Sequence, residues 1–440
     1  ERIRAAFRRM GIERKLLVLV LAVGLGALLV SAAFSTFQGM RAIDAGLEAL
    51  ASSIESEALL DMEAIRSHKA SQVTALLRDM HEQTVTLAED RMVVDAIRGM
   101  RRAIEAERAN GRGPDESSAR QAVAGYWQGS FGAEYRRRNG DARSGVEGRL
   151  GALDAEGIAL QNAFIATNPH PMGSKQRLDA PSGASDYGRL HAELHPVLRS
   201  FIERLGYYDL LLVDAKTGRV VYSVAKEVDF GSSLIDGPWA QSHLARAFAE
   251  ANRSMDPNAV VFADFEPYEP SFGEPAGFML APVLDGAERI GVVVLQLSTD
   301  RITEVLADRA GTGEIGEIFL VGSDRRMRSN SVQDPEGHSV VASFRSADEG
   351  KVASPAVDEA LAGRSGSAVG TNFGGQPVLT AYAPIEIDGA RWAIVAEIGR
   401  DEALASVAFV RESLFAAVAT APYMLLAMAV GVGGLVAFVG

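Results

Sequence analysis

The 440-residue chain contains no cysteine. Disulfides, thiol catalysis, iron–sulfur clusters and cysteine-type zinc sites are therefore excluded. Basic residues are in deficit, 44 Lys and Arg against 57 Asp and Glu, for a formal charge of −13. That balance argues against nucleic acid as a partner, because affinity for a phosphate backbone comes from an excess of Lys and Arg. There is no G-x-S-x-G nucleophile elbow and no pair of carboxylates that the pattern places in one cleft. "HAELH" sets His191 and His195 at the i, i+4 spacing of helical metal ligands, but Glu193 lies on the opposite face and no third ligand is evident. "GTGEIG" (311–316) has the letters of a dinucleotide loop, yet a strand follows it where a helix N-terminus is required. No catalytic residue, metal or cofactor is expected.

Two long apolar segments are present. Residues 16–34, "LLVLVLAVGLGALLVSAAF", and 413–440, "SLFAAVATAPYMLLAMAVGVGGLVAFVG", carry no charge. Each is long enough to cross a bilayer as a helix. The alternatives are a buried core helix for either, or a signal peptide for the first. Their length exceeds what a core helix needs, and a signal peptide ends at a small-residue cleavage site, whereas here the helical pattern runs on. Residues 1–15 carry six Lys and Arg against two Glu, while the rest of the chain carries 38 basic and 55 acidic groups, or −17. The basic end is expected in the cytoplasm, with residues 38–410 outside. An exterior this acidic also argues against docking on an anionic lipid surface. An exported region of roughly 375 residues can bury a large core without disulfides. A chain that starts on Glu and stops inside an apolar run reads as a piece of something longer, with its output after Gly440.

Between these segments, apolar residues recur every three or four positions from Ile43 through Ile54, Met62, Val73 and Leu87. The spacing predicts one long helix over 38–112, a rod of roughly 100 Å stopped at "NGRGP" (110–114). Its stripe leaves a seam suited to a parallel homodimer. "YWQGSFGAEYRRR" (126–138) interleaves aromatic and basic residues, a stacking pattern discounted here because the surroundings are acidic. "NPHPMGSKQRLDAPSGASDY" (168–187) reads as an ordered loop, followed by an amphipathic helix with Leu190, Leu194, Val197, Leu198, Phe201 and Leu205 on one face. Strand signals follow at 207–214, 219–224, 260–268 and 279–298, with a helix over 239–252, then again at 317–322, 327–331 and 380–399.

The strands come in two matching sets. "LLLVDAKTGRVVYS" pairs with "IFLVGSDRRMRSN", and "LAPVLDGAERIGVVVLQL" with "AYAPIEIDGARWAIVAEI". The offsets are about 107 and 102 residues, so a whole antiparallel unit is duplicated.

On these residues, the chain resembles the double Cache sensors, tandem PAS-like extracytoplasmic modules of bacterial transmembrane receptors. The stretches that carry the resemblance are "GYYDLLLVDAKTGRVVYSVAKEVDFGSSL" (206–234), "FADFEPYEPSFGEPAGFMLAPVLDG" (262–286) and "GEIGEIFLVGSDRRMRSNS" (313–331). Similar stretches occur in methyl-accepting chemotaxis receptors, receptor histidine kinases and receptor cyclases. The resemblance implies an α+β fold of two Cache domains on a long N-terminal helix, flanked by two transmembrane helices. The expected parts are a cytoplasmic 1–15, a first span at 16–37, the helix 38–112, a distal domain at 113–300, a proximal domain at 301–408 and a second span at 411–440. It further implies an inner-membrane receptor of the chemotaxis type that binds a small molecule outside and reaches cytoplasmic signalling proteins through the part after Gly440. The rival readings are the same sensor on a kinase or cyclase, a membrane-anchored enzyme and a structural stalk. The Tyr–Arg–Trp–Tyr signature of the amino-acid-binding members has no clean copy here, so that ligand is not carried over.

In the resembling family, the ligand lies between the distal sheet and the segments covering it. Here those segments are 226–240 and 264–272. With the facing strands, which carry Tyr222 and Phe278, they assemble aromatic walls (Tyr222, Trp239, Tyr268, Phe278) and separated charges (Lys226, Asp229, Asp264), the mixture an orienting pocket needs. The competing reading makes the aromatics ordinary core and the charges loop caps. The second copy, with "RMRSNSVQDPE" at the matching place, reads as a transmitter.

Overall fold

The computed structural model describes residues 11–109, 115–140, 145–183, 185–307, 313–314, 316–345, 350–418, 420, 424 and 427, without the side chains of 14, 17, 18, 21, 22, 25 and 147. The "NGRGP" stop, half of "GTGEIG" and most of the second apolar segment fall outside that set. Among the described residues no helix is long and apolar enough to cross a membrane. The chain divides into two compact units, residues 1–61 with 399–440, and residues 62–398.

Helix α1 (Ile12–Glu89) runs through both units, and α2 (Arg91–Ala109) follows after a break at Asp90. The single helix read over 38–112 is therefore two. Asp90 turns its carboxylate back to the Met92 amide (2.7 Å), an N-cap bond that competes with continuing the α1 ladder. From Met62 onward, the stripe of α1 is covered within its own unit, with Met62, Val73, Leu77 and Met80 buried. In the unit holding residues 1–61, Leu50 and Leu60 are exposed.

Helix α3 (Glu116–Tyr126), capped by Asp115, continues through a wide turn at Trp127–Phe131 into α4 (Gly132–Arg138). Helix α5 (Ala155–Gln161) and α6 (Asp186–Leu205) complete the helical layer. Ser185 caps α6 and Gly206, at φ 71°, closes it. The buried face of α6 carries Tyr187, His191, Leu194, His195, Leu198 and Ile202. Val197, expected inside, is 52% exposed, because two buried histidines displace the apolar stripe.

The first sheet holds β1 (Asp209–Asp214), β2 (Val220–Ser223), β3 (Val261–Pro267), β4 (Pro275–Asp285) and β5 (Glu288–Gln296) in the order β2-β1-β5-β4-β3. Helix α7 (His243–Ala251) packs on β3 and β4. After α8 (Thr299–Leu306), the second sheet holds β6 (Ile318–Val321), β7 (Gly366–Thr371), β8 (Pro377–Ile387) and β9 (Ala390–Gly399), ordered β6-β9-β8-β7, with α9 (Val340–Arg345) and α10 (Pro355–Leu361) between β6 and β7. The segment matching β2 is reduced to one bridge, Val321 to Met327. With that bridge counted, the two sheets share one strand order, as the duplicated sequence requires. The duplicated Asp-Gly turns differ. Gly286 takes φ 63° at the first loop position, whereas Asp388 and Gly389 both take positive φ, the type I′ pattern.

Both faces of the second sheet are buried. Ile318, Leu320, Trp392, Ile394 and Ala396 join the large core shared with the first sheet and the helices. Phe319, Val321, Ala393 and Val395 point the other way into a smaller core with Val340, Val352 and Val357. This is the period-two alternation of a strand pair, with apolar residues on both sides.

Candidate ligand-binding site

The site grows from the end of β2. Asp209, buried at the start of β1, accepts the Ser223 hydroxyl (2.8 Å) and the amides of Val224 and Ala225 (2.9 Å each). Burial still pushes its carboxyl up to about 6. The Ser223 hydroxyl in turn receives the Lys226 amide (2.7 Å), and this tight turn holds Lys226 at φ 60°. The Lys226 ammonium donates to the carbonyls of Ser223 (3.2 Å) and Val224 (3.4 Å), and burial pulls it down to about 7.

Glu227 accepts the hydroxyls of Tyr208 and Ser271 (2.6 Å each), and Gln296 steadies Ser271 (3.1 Å). Burial, and then the charge of Asp229, raise the Glu227 carboxyl well above the usual range. Asp229 accepts the Tyr268 hydroxyl on Oδ2 (2.7 Å), while its buried Oδ1 has no partner. Burial pushes Asp229 up to about 7. Gln161 pins the backbone of this segment, donating to the carbonyls of Val228 (2.6 Å) and Phe230 (2.9 Å) while accepting from the Trp127 indole (2.8 Å).

Lys226, Glu227 and Val228 form one wall of a cavity of about 520 Å³. Tyr126 and Arg138 from the α3–α4 segment, Lys175 and Gln176 from the loop before α6, Tyr208 after α6, and Phe272 after β3 form the others. Phe272 stacks on Phe131 (4.9 Å between centroids) beneath the Arg138 guanidinium (4.5 Å).

Of the seven residues singled out from the sequence, only Lys226 lines this cavity. Five stand within the protein body, each fully or almost fully buried. The Tyr222 hydroxyl meets His195 Nδ1 (2.7 Å). Trp239 packs against Trp127 (6.2 Å) and donates to the Val228 carbonyl (3.3 Å). Tyr268 and Phe278 meet edge to face (5.2 Å), and Asp229 completes that group through Tyr268.

The structure takes Asp264 away from the group. It lies at a bulge in β3 and accepts Arg328 in a bidentate pair (2.7 and 2.8 Å), plus the Trp392 indole (3.2 Å). The guanidinium of Arg328 is the attractor, since its side chain is only 2% exposed and requires a counter-charge. A Cβ at Gly322 would lie 2.2 Å from that guanidinium, so the close approach needs glycine there.

His191 and His195 stack on each other (4.5 Å) and hold the loop before α6 through the carbonyls of Asp179 (2.7 Å) and Gln176 (2.6 Å). Burial lowers them to about 2 and about 3, so both are neutral. Sequence reasoning missed Tyr126, Arg138, Lys175, Glu227 and Phe272. The interleaved aromatics and charges of 126–138 and the Pro/Gly-rich 168–187 were the available signals.

The Cache domain family model (dCache_1) matches residues 159–407, more than half of the chain. The chain belongs to the Cache domain family. Its mixed helices and antiparallel sheets are the α+β fold of that family's sensor modules. No curated protein matches the sequence.

Among solved structures, it is similar to the ligand-binding domain of the Pseudomonas aeruginosa PAO1 amino-acid chemoreceptor PctB in complex with L-Arg, at 15% identity and TM-score 0.32, covering 47% of this chain and 76% of that one. The ligand-binding domain of the Pseudomonas fluorescens chemoreceptor CtaA with L-serine gives 14% identity and TM-score 0.31, covering 67% and 97%. The periplasmic sensory domain of the Campylobacter jejuni chemoreceptor Tlp1 gives 14% and 0.34, covering 55% and 89%. At such scores, these likenesses carry over neither a ligand nor a binding mode.

Proposed function

We propose that this chain is the extracytoplasmic sensor of a membrane receptor of the chemotaxis type, and that a small molecule binds in the cavity beside β2. One observation carries the choice of cavity. Among the described residues, four non-glycine residues adopt positive φ, and two of them, Lys226 and Phe272, line it. Backbone strain of that kind costs about 1–3 kcal/mol per residue and collects where a fold must present a side chain to a ligand. The cavity volume lies within the range of small-molecule sites. Family membership supports the sensing role.

The two charge-free segments, the basic 1–15 and the acidic remainder support a topology in which 16–34 and 413–440 cross the inner membrane. In that reading, 113–300 is the distal, ligand-binding domain and 301–408 the proximal one. The exposed apolar face of α1 before Met62 supports a parallel dimer.

A metabolite screen by thermal shift on the full chain in detergent tests the cavity, because a ligand that binds only the folded state raises its stability by mass action. A hit should be lost in Phe272→Ala, read against that variant's own unliganded melting temperature because the change also removes the stack on Phe131. Equal stabilisation of wild type and variant by every hit would place the site elsewhere.

A further inference from the structure

Two of the residues that line the cavity are lysines without a counter-ion. Lys175 is 6% exposed and Lys226 1%, and both line the same space. Lys175 Nζ donates to the carbonyls of Ile165 (2.8 Å) and His170 (3.3 Å), and Lys226 Nζ to those of Ser223 and Val224 and to the neutral ring of His195 at Nδ1 (3.4 Å), all of them uncharged acceptors. Among the described residues, neither makes an ion pair.

The acids around Lys226 are already engaged. Asp209 on β1 is taken up by Ser223 and backbone amides, and Asp179 in the loop before α6 pairs with Arg199 of that helix (2.7 Å). Glu227, on the same segment, receives Tyr208 and Ser271. His195 on α6 is neutral, and the Tyr222 hydroxyl on β2 is committed to it.

A buried ammonium without an anion is costly, and burial lowers both lysines from their ordinary range. Neutral carbonyls leave the charge of each ammonium unbalanced. Both charges would be offset by an anion brought in from outside.

We propose that the cavity takes a small organic carboxylate, its acid group held between the ammonium groups of Lys175 and Lys226. This rests on the cavity being the ligand site. A monoanion is favoured over a phosphate dianion because the half-buried Glu227 lines the cavity and already resists ionising beside buried Asp229, so the site disfavours added negative charge. The stacked Phe131–Phe272 pair and Tyr126 offer the apolar and aromatic surface for the body of such a molecule.

The test is a thermal-shift and calorimetric comparison on the full chain in detergent. The probes are propionate, lactate, benzoate and phenylacetate, each beside its primary amide, together with inorganic phosphate and the matching amines. The expected result is stabilisation by at least one carboxylate, with its amide at least tenfold weaker. Lys226→Met and Lys175→Met should each weaken that carboxylate at least tenfold. Each variant is compared with its own unliganded melting temperature, since each also gives up the ammonium's bonds to backbone carbonyls. Binding of amides, amines or phosphate in preference to carboxylates, lost in Phe272→Ala, overturns the proposal and leaves the cavity standing as the site. Carboxylate binding that survives both lysine substitutions also overturns it. Failure of every probe to stabilise the wild type overturns the carboxylate assignment, whereas the cavity assignment falls only if hits of the metabolite screen stabilise wild type and Phe272→Ala equally.

Discussion

Asp264→Ala is the most informative single substitution, because it strips the counter-charge from a buried guanidinium. Arg328 is 2% exposed, and its guanidinium rests on Asp264 through two bonds of 2.7 and 2.8 Å. Asp324 gives a third contact at 3.0 Å, but its side chain is 38% exposed and it neutralises the guanidinium less fully. Removing one partner of a buried pair costs about 3–5 kcal/mol. With Asp324 retained, the low end applies, about 3 kcal/mol. In a unit this large, that lowers the melting temperature by about 6 °C.

The control is the double variant Asp264→Leu with Arg328→Met, which leaves no orphaned charge and should recover most of the loss. Scanning fluorimetry on the full chain in detergent reads both. A fall under 2 °C for Asp264→Ala, or a double variant as unstable as the single, would refute the reasoning. Ligand-induced stabilisation should persist in Asp264→Ala, because Asp264 does not line the cavity. The pair nevertheless sits on the strand that leads to it. Asp264 marks the β3 bulge, Tyr268 follows at the strand's end, and Pro270 and Phe272 are cavity walls. Movement of that wall is therefore covalently continuous with the pair that ties the first sheet to the second.

Two further outcomes are expected. Asp229 has its folded value raised from an ordinary 3.8 to about 7, so its stabilising protonation is complete below about pH 4 and is lost as pH rises through 7, a change of up to about 4 kcal/mol. Asp229→Asn should flatten the fall in melting temperature between pH 4 and 8 and exceed wild type at pH 8; an unchanged slope would count against the buried carboxyl. Oxidative crosslinking in membranes should trap dimers at Ile54→Cys but not at Val73→Cys, whose position is 0% exposed within its own unit; the reverse pattern, or monomer at both, would remove the α1 face as a dimer seam.

What the sequence made legible was whatever repeats or alternates. The two sheets, their hairpins and the helix α7 follow from apolar runs bounded by turn residues, and the duplicated Ala-Pro and Asp-Gly signals locate equivalent strands in both copies. Strand β7, "GSAVGT", escaped because two glycines and an exposed alternation give it no apolar signature.

The site was legible only in part, for a different reason. Local pattern places Lys226, Asp229 and Tyr268 near one another, because they lie on segments that cap the same sheet. It cannot say which side chains turn toward open space, since that depends on walls brought from far along the chain. Tyr126 reaches the cavity from the helical layer and Lys175 from the loop before α6, 100 and 51 positions before Lys226. Asp264 shows the same limit from the other side. Beside Tyr268 in sequence, it looks like a pocket charge, yet Arg328, 64 positions away, claims both of its oxygens. A buried guanidinium binds a carboxylate more tightly than a solvated ligand could, so the long-range partner wins and the nearby cavity is left to the two lysines.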